Sequence, residues 1–530
     1  MNTYLFWIFI SAAALLCANG MWTRVAPAQV AASRRVDLLI EHGKLLEGSG
    51  GEPVVGDVGI QGDRIVFIGD ATKAGVSAAR VIDAHGLIVA PGFIDPHTHT
   101  FDDLTSAQRH SNIAYLMQGV TTVITGNDGS SPLPIASALK KWDEQGIGTN
   151  AALLVGMCSV RRQVMGMADV APSAAQLEQM KALVAQGMND GTFGMSAGLF
   201  YAPCSFAATE EVIELAKVTG EKHGYYDTHM RDESSYTIGL LGSIRETIRI
   251  GREAKLPVHI SHIKALGTDV WGQSTEAIRL IREAKAQGID VTADQYPYSA
   301  SGTSLVPALV PRWAEAGGRE QMLKRLDDPN TRTRLVGEME KNLKRRGGPK
   351  SLLITSSADA RAAGKNLQQI AVERHEAPLA SAIELIRAGP NNVASFNMSE
   401  EDIENFMKQD FVMTGSDGTT GHPRKFGTFP RKIREYVLKQ KVVSLPFAIR
   451  SSTALTAESL GIKDRGALRV GYFADVIVFD ERTVADQATY EKPELLATGM
   501  RYVIVNGKIA VEDGKYNGTL AGKALRKTSP

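Results

Sequence analysis

The chain is predicted to be α/β: a (β/α)8 TIM barrel with a strand-rich region at each end of the sequence. Three observations carry this. Apolar strand-like runs alternate with helical runs through the middle of the chain, as parallel strands do with their crossover helices. Eight such strands can be counted, the number that closes a barrel. Short strands separated by turn signals fill both ends of the sequence.

At the start, Leu5–Ala18 (LFWIFISAAALLCA) is an apolar run of signal-peptide length, short for a membrane span. Ala26-Pro27-Ala28 offers a cleavage site, with Ala18-Asn19-Gly20 as an earlier option. Residues 1–28 are therefore expected to be a signal peptide, leaving a periplasmic or secreted chain with no membrane span. No Lys or Arg precedes the run, and a start at Met21 would leave a cytoplasmic protein. Cys17 follows Leu16, too large for a good lipoprotein site. Beyond it only Cys158 and Cys204 remain, so no disulfide framework is expected, and Cys158 reads as a packed thiol.

Residues 36–90 read as short strands (DLLIEHGKLLEGSG, GDVGIQGDRIVFIGD, RVIDAHGLIVAP). The barrel is expected over 91–463. Its strands are LIVAPGFIDPHTH, TTVITGND, NAALLVGMC, TFGMSAGLFY, GYYDTHM, LPVHISH, IDVTADQYPY and DFVMTGSDG. Helices such as EEVIELAKVTGEKHG and STEAIRLIREAKAQG lie between them and end in Gly. A charged, helical segment at about 312–409, including SEEDIENFMKQ, separates strands seven and eight and reads as an inserted subdomain. Residues 464–530 return to hairpins, with Asn506-Gly507 as a turn. With 59 basic against 58 acidic residues, nothing favours a nucleic-acid partner.

In such a barrel, function collects at the C-terminal ends of the strands. Those positions hold His97, His99, Asn127, Asp128, Tyr201, His229, His262, Lys264, Asp294, Tyr296, Tyr298 and Asp417. Alternation along the first strand puts Asp95, His97 and His99 on one face. A lone histidine at a strand end is usually a hydrogen-bonded loop residue. Four histidines with carboxylates in one layer make a first shell for a cation such as Zn²⁺. His259 is expected on the face opposite His262, in a structural role.

The fragments APGFIDPHTHTFDD, GVTTVITGNDG, GTFGMSAGLFYAP, YYDTHMRDE, VHISHIKALG, DQYPYSASGTSL, TGSDG and HPRKFGTFPR, with GYFADVIVFD and VIVNGKIAVEDG, carry a resemblance. In this order they resemble the amidohydrolase superfamily, in its D-aminoacylase (N-acyl-D-amino-acid deacylase) branch. The resemblance implies a small β-sandwich, built from residues 36–90 and 464–530, beside the barrel. It also implies one or two zinc ions and a small-molecule N-acyl amino acid as substrate. His229 and His262 match ligands of a tightly held zinc, His97 and His99 a second metal position, and Asp417 the catalytic carboxylate. Lys264, Tyr201, Tyr296 and Arg424 match the groups that grip the substrate carboxylate and place the amide. The chemistry suits these residue types: zinc lowers the pKa of its water from about 16 toward 7. Asp417 can take that proton and return it to the leaving nitrogen.

Two positions depart from the family pattern. Where relatives read GNCG with a zinc-binding Cys, this chain reads GNDG, placing Asp128 there as a harder ligand. In VGMCSVRRQVMG, Met157 stands where relatives tend to have His. The expected activity is zinc-dependent hydrolysis of N-acyl amino acids, with a D preference that only the resemblance supplies. A dipeptidase or cyclic-amide hydrolase on the same centre is the alternative. A non-catalytic metal-containing binding protein is a third reading, favoured only by Asp128.

Overall fold

The run Leu87–His99, expected as one strand, holds two strands in different sheets. The computed structural model describes residues 34–527, and the expected leader at 1–28, with Cys17 and Met21, lies outside the described residues. Ile88–Pro91 lies antiparallel to Val476–Phe479, in a sheet built from both chain ends. Phe93–Thr98 is the first strand of the barrel. Gly92 makes the break possible: a Cβ there would stand 2.2 Å from Thr121 Oγ1. The chain can switch sheets only where its backbone passes this close to a neighbour.

The end-built sheet has nine strands. Its strand Arg64–Gly69 bonds back to the segment leading into Val476–Phe479, through Ile65 N–H to Tyr472 O at 2.9 Å. The sheet thus rolls around buried Ile40, Val58, Ile60, Ile65, Val476 and Val478. Its other side shares a core with the barrel, where Ile88, Phe479 and Met500 meet Phe93, Trp142 and Phe429.

The barrel strands pair in parallel throughout. One ladder holds Phe93–Thr98, Val120–Thr125 and Asn150–Leu153; the other runs through Val155–Gly156, Gly194–Gly198, Tyr225–His229, Val258–Ile260, Val291–Gln295 and Val412–Thr414. The third strand is interrupted at Leu154, and Phe193 N–H to Leu153 O (3.1 Å) joins the two ladders there. The ring closes where Asp417 N–H donates to His97 O at 2.9 Å. Strands buried on both faces explain the apolar runs that replace simple alternation in the sequence.

Strand seven is followed at once by the insertion. Ala300–Ser304, Asn391–Phe396 and Leu352–Ser357 form an antiparallel sheet. Helices pack on it around Leu309, Leu326, Leu335, Leu367 and Ile386. The boundary expected at 312–409 shifts accordingly. The helix Glu400–Met407, read as part of the insertion from its charges, puts Phe406 into the barrel core beside Ile281. Glu400 and Glu401 face solvent, while Asp402 is buried and accepts from the Gly272 and Ser274 N–H groups.

Candidate metal centre

Every ligand expected from the sequence ends up around one carboxylate. Asp128 stands 3.5 Å from Nε2 of His97, His99 and His262, and 3.7 Å from His229 Nδ1. Asp417 Oδ1 lies 3.0 Å from His99 Nε2 and 3.6 Å from His97 Nε2. By distance the donors fall into two groups, one of His97, Asp128, His262 and Asp417, the other of His229, Glu233 and His262. His262 thus belongs to both. Asp128, His262 and Asp417 all have left-handed backbones, at φ 55°, 37° and 48°. Non-glycine residues adopt that region at a cost, and such strain concentrates at functional sites.

Several donor atoms facing this gap are buried without a hydrogen-bond partner: both ring nitrogens of His97, His229 Nδ1 and Asp128 Oδ1. Leaving such atoms unpaired is costly. Imidazole nitrogens and carboxylate oxygens are the ligands Zn²⁺ takes, so the residues present fit a zinc ion.

The charges are interlocked. Burial opposes ionisation of Asp128, but His97 and the hydrogen-bonding His229, His262 and His99 outweigh it and hold the carboxyl well below its usual range. Asp417 is likewise held down, against burial, chiefly by Arg424 and His262. Burial lowers His99, yet Asp128 and Asp417 raise it further, to about 9. His229 has burial as its main influence and is lowered. A metal entering here replaces protons on the imidazoles that neutralise these carboxylates.

Glu233 was not anticipated. Its Oε1 lies 2.5 Å from Lys264 Nζ and 3.0 Å from His262 Nδ1, and its Oε2 3.6 Å from His229 Nε2. A carboxylate behind a ligating imidazole fixes the ring's orientation. The readable signal was its place four residues after His229, inside THMRDE. Asp294 and His259 form a similar pair: His259 Nε2 is 2.9 Å from Asp294 Oδ2, which stands 3.7 Å from His97 Nδ1. His259 therefore reaches the same side as the metal cluster. The left-handed turn at His262 breaks the alternation that put the two on opposite faces. Asp95, expected beside His97 and His99, joins neither donor group. The pairing of its strand shifts register, and Asp95 accepts from the Ser416 and His97 N–H groups outside both donor groups.

A cavity of ≈ 280 Å³ opens over the cluster, and Tyr201, Lys264 and Tyr296 line it. Tyr201 packs against His229 with ring centroids 4.7 Å apart. Arg424 is fully buried, 2.8 Å from Asp417 Oδ2 and 4.6 Å above the Tyr296 ring. Its Nη1 is taken up by Asp417, while its Nε has no acceptor, so one donor remains for an incoming group. Asn127 instead ties the barrel together, donating to Pro96 O and Asp227. Tyr298 packs under Arg431. Met157 is buried in the barrel core. Cys158 is no free thiol: it is disulfide-bonded to Cys204 at the cavity wall. Sequence alone could not pair two cysteines 46 residues apart.

The sequence profile of the amidohydrolase family matches residues 80–511. The chain belongs to the amidohydrolase family. This amidohydrolase is 35% identical to the D-aminoacylase of Alcaligenes xylosoxydans xylosoxydans, over 94% of its own length and 99% of the relative's. It is 32% identical to the N-acyl-D-glutamate deacylase of the same organism, over 89% and 93%. A solved D-aminoacylase with a binuclear metal centre superposes with a TM-score of 0.80 at 33% identity, covering 93% of this chain and 100% of that one. The N-acyl-D-glutamate deacylase of Bordetella bronchiseptica, solved with zinc and a phosphonate mimic of the tetrahedral intermediate, superposes at 0.81 with 29% identity and the same coverage.

Proposed function

We propose that this amidohydrolase cleaves the amide bond of N-acyl-D-amino acids, releasing a carboxylate and a free amino acid. The observation that carries the reading is Asp417, buried between the imidazoles of His97 and His99 on one side and Arg424 on the other. His97, His99, Asp128, His229, His262 and Asp417 would hold one or two zinc ions, whose chemistry would be an activated water and a polarised carbonyl. The protein supplies the rest. Asp417, held ionised by its neighbours, accepts the water's proton and delivers it to the departing nitrogen. Arg424, Lys264 and Tyr296 hold the substrate's α-carboxylate, Arg424 through its unpaired Nε. Tyr201 places the scissile amide against the cavity wall. The D preference is the part that the relatives support and no single residue does. The Cys158–Cys204 disulfide supports export, because such bonds persist in oxidising compartments.

The test is zinc content by elemental analysis beside hydrolysis of paired N-acetyl-D- and N-acetyl-L-amino acids. One or two zinc ions with D-selective release of amine is the expected result. Asp417→Asn should keep zinc yet lose roughly 10²–10⁴-fold in kcat, the size of a general acid–base contribution. Failure to bind zinc after reconstitution would overturn the metal centre. Zinc without turnover of either series would overturn the substrate.

A further inference from the structure

The insertion contributes a buried cation to the cavity that the proposed reaction does not use. Arg346, at the C-terminal end of the helix Pro329–Arg345, lines the same cavity as His229, His262 and Lys264. It is 1% exposed. Its Nε donates to the Tyr236 hydroxyl at 2.6 Å, and its Nη1 has no partner at all. Among the described residues no carboxylate comes within ion-pairing distance of it. The other buried cations at this site are each matched, Lys264 by Glu233 and Arg424 by Asp417. A buried guanidinium without a counter-charge is costly, and such groups are normally paired.

Its position is built. Tyr236 meets Phe200 edge-on at 5.2 Å, and Phe200 stacks on the His229 ring at 5.5 Å. Gly267, at φ 95°, lets the loop beyond Lys264 approach the helix end, since a Cβ there would stand 2.5 Å from Arg345 O. The neighbouring Arg345 is already engaged with Ser235 and Asn342. Of the two, Arg346 is left to meet what enters.

We propose that Arg346 anchors a second anion subsite, so that the preferred substrate carries a carboxylate beyond the α-carboxylate. This rests on the deacylase reading above and deepens it by naming the substrate class: a dianionic N-acyl amino acid. The added carboxylate could sit on the amino-acid side chain or on the acyl group. The chemistry is the same, a planar guanidinium meeting a carboxylate.

The experiment compares kcat/KM of the zinc-loaded enzyme on N-acetyl-D-glutamate, N-succinyl-D-leucine and N-acetyl-D-leucine, in wild type, Arg346→Met and Arg346→Lys. Wild type should favour one dianion over the neutral-side-chain substrate. A preference for the glutamate compound places the subsite on the side chain, and one for the succinyl compound on the acyl group. The dianion-to-monoanion ratio should fall about tenfold or more in Arg346→Met, with partial rescue in Arg346→Lys. The melting temperature should hold or rise in Arg346→Met, as an unpaired buried charge is removed; a purely structural arginine would lower it and leave the ratio unmoved. Turnover of N-acetyl-D-leucine without any dianion preference would overturn this inference and leave the deacylase reading standing. No turnover of any compound would overturn both.

Discussion

Asp128 is the residue on which the site turns. Its carboxylate touches four imidazoles from three other strand ends, and its left-handed backbone (φ 55°) aims it there. Gly129 beside it has no room for a side chain, since a Cβ would stand 2.1 Å from Cys158 Sγ. A carboxylate gives a metal less charge than a thiolate would, so its neighbours matter more. Glu233 holds one imidazole from behind, and Glu233→Gln should weaken zinc binding by roughly 10–100-fold. Asp128→Ala should weaken it further, because it removes the central donor itself. Competition with a chromophoric chelator measures both, and equal affinities in the two variants would place Asp128 outside the first shell.

Two elements hold the site in register. The first is the disulfide between Cys158, at the start of the helix Met157–Met165, and Cys204, just after strand four. Closing a loop with sequence separation 46 stabilises by about 3–4 kcal/mol in the chain-entropy account. Cys204→Ser should lower the unfolding free energy from urea titration by about that amount, and reductant should act alike on wild type but not on the variant. The second element is the π-helical turn Lys432–Lys439. There Lys432, buried, donates to Thr414 and Ser451 hydroxyls, and burial lowers it to about 7. Above that value the folded chain has lost this proton, while the unfolded chain keeps it up to the ordinary lysine range. The unfolded state then binds more protons, so this group makes stability rise with pH above about 7, by at most about 1.4 kcal/mol per unit. Lys432→Met should remove that rise, and an equal gain in unfolding free energy between pH 7 and 9 in variant and wild type would contradict it.

For the whole molecule, the metal cluster sits where the ring of strands closes. Asp417 N–H donates to His97 O, and the Ser416 N–H donates to Asp95. A ligand bound only by the folded state stabilises by mass action, about 4 kcal/mol at a thousandfold excess over its Kd. Chelation should therefore lower the melting temperature. It should also speed amide exchange at residues 415–418 before it does so in the end-built sheet, whose core at Val58, Val476 and Val478 is separate. Uniform exchange across both regions would show that the closure does not depend on the metal.

What the sequence determined alone is what local periodicity can carry: eight strands, helices between them, and polar residues at strand ends. Position along a strand is covalent geometry, so the strand-end residues could be listed before any contact was seen, and the family resemblance singled out His97, His99, Asp128, His229, His262 and Asp417 among them. Tertiary structure decided the rest. The break at Gly92 depends on Thr121 of a neighbouring strand. The placing of His259 and His262 on one side depends on a backbone turn to positive φ, which no pattern of apolar residues announces. Glu233 reads as one of many charged loop residues until Lys264 and His262 arrive around it. Arg346 looks like one more cation in KRRGG until the insertion folds over the cavity and buries it unpaired. These are encounters between residues far apart in the chain, fixed by loop closure and packing; a periodicity of 2 or 3.6 residues holds no record of them.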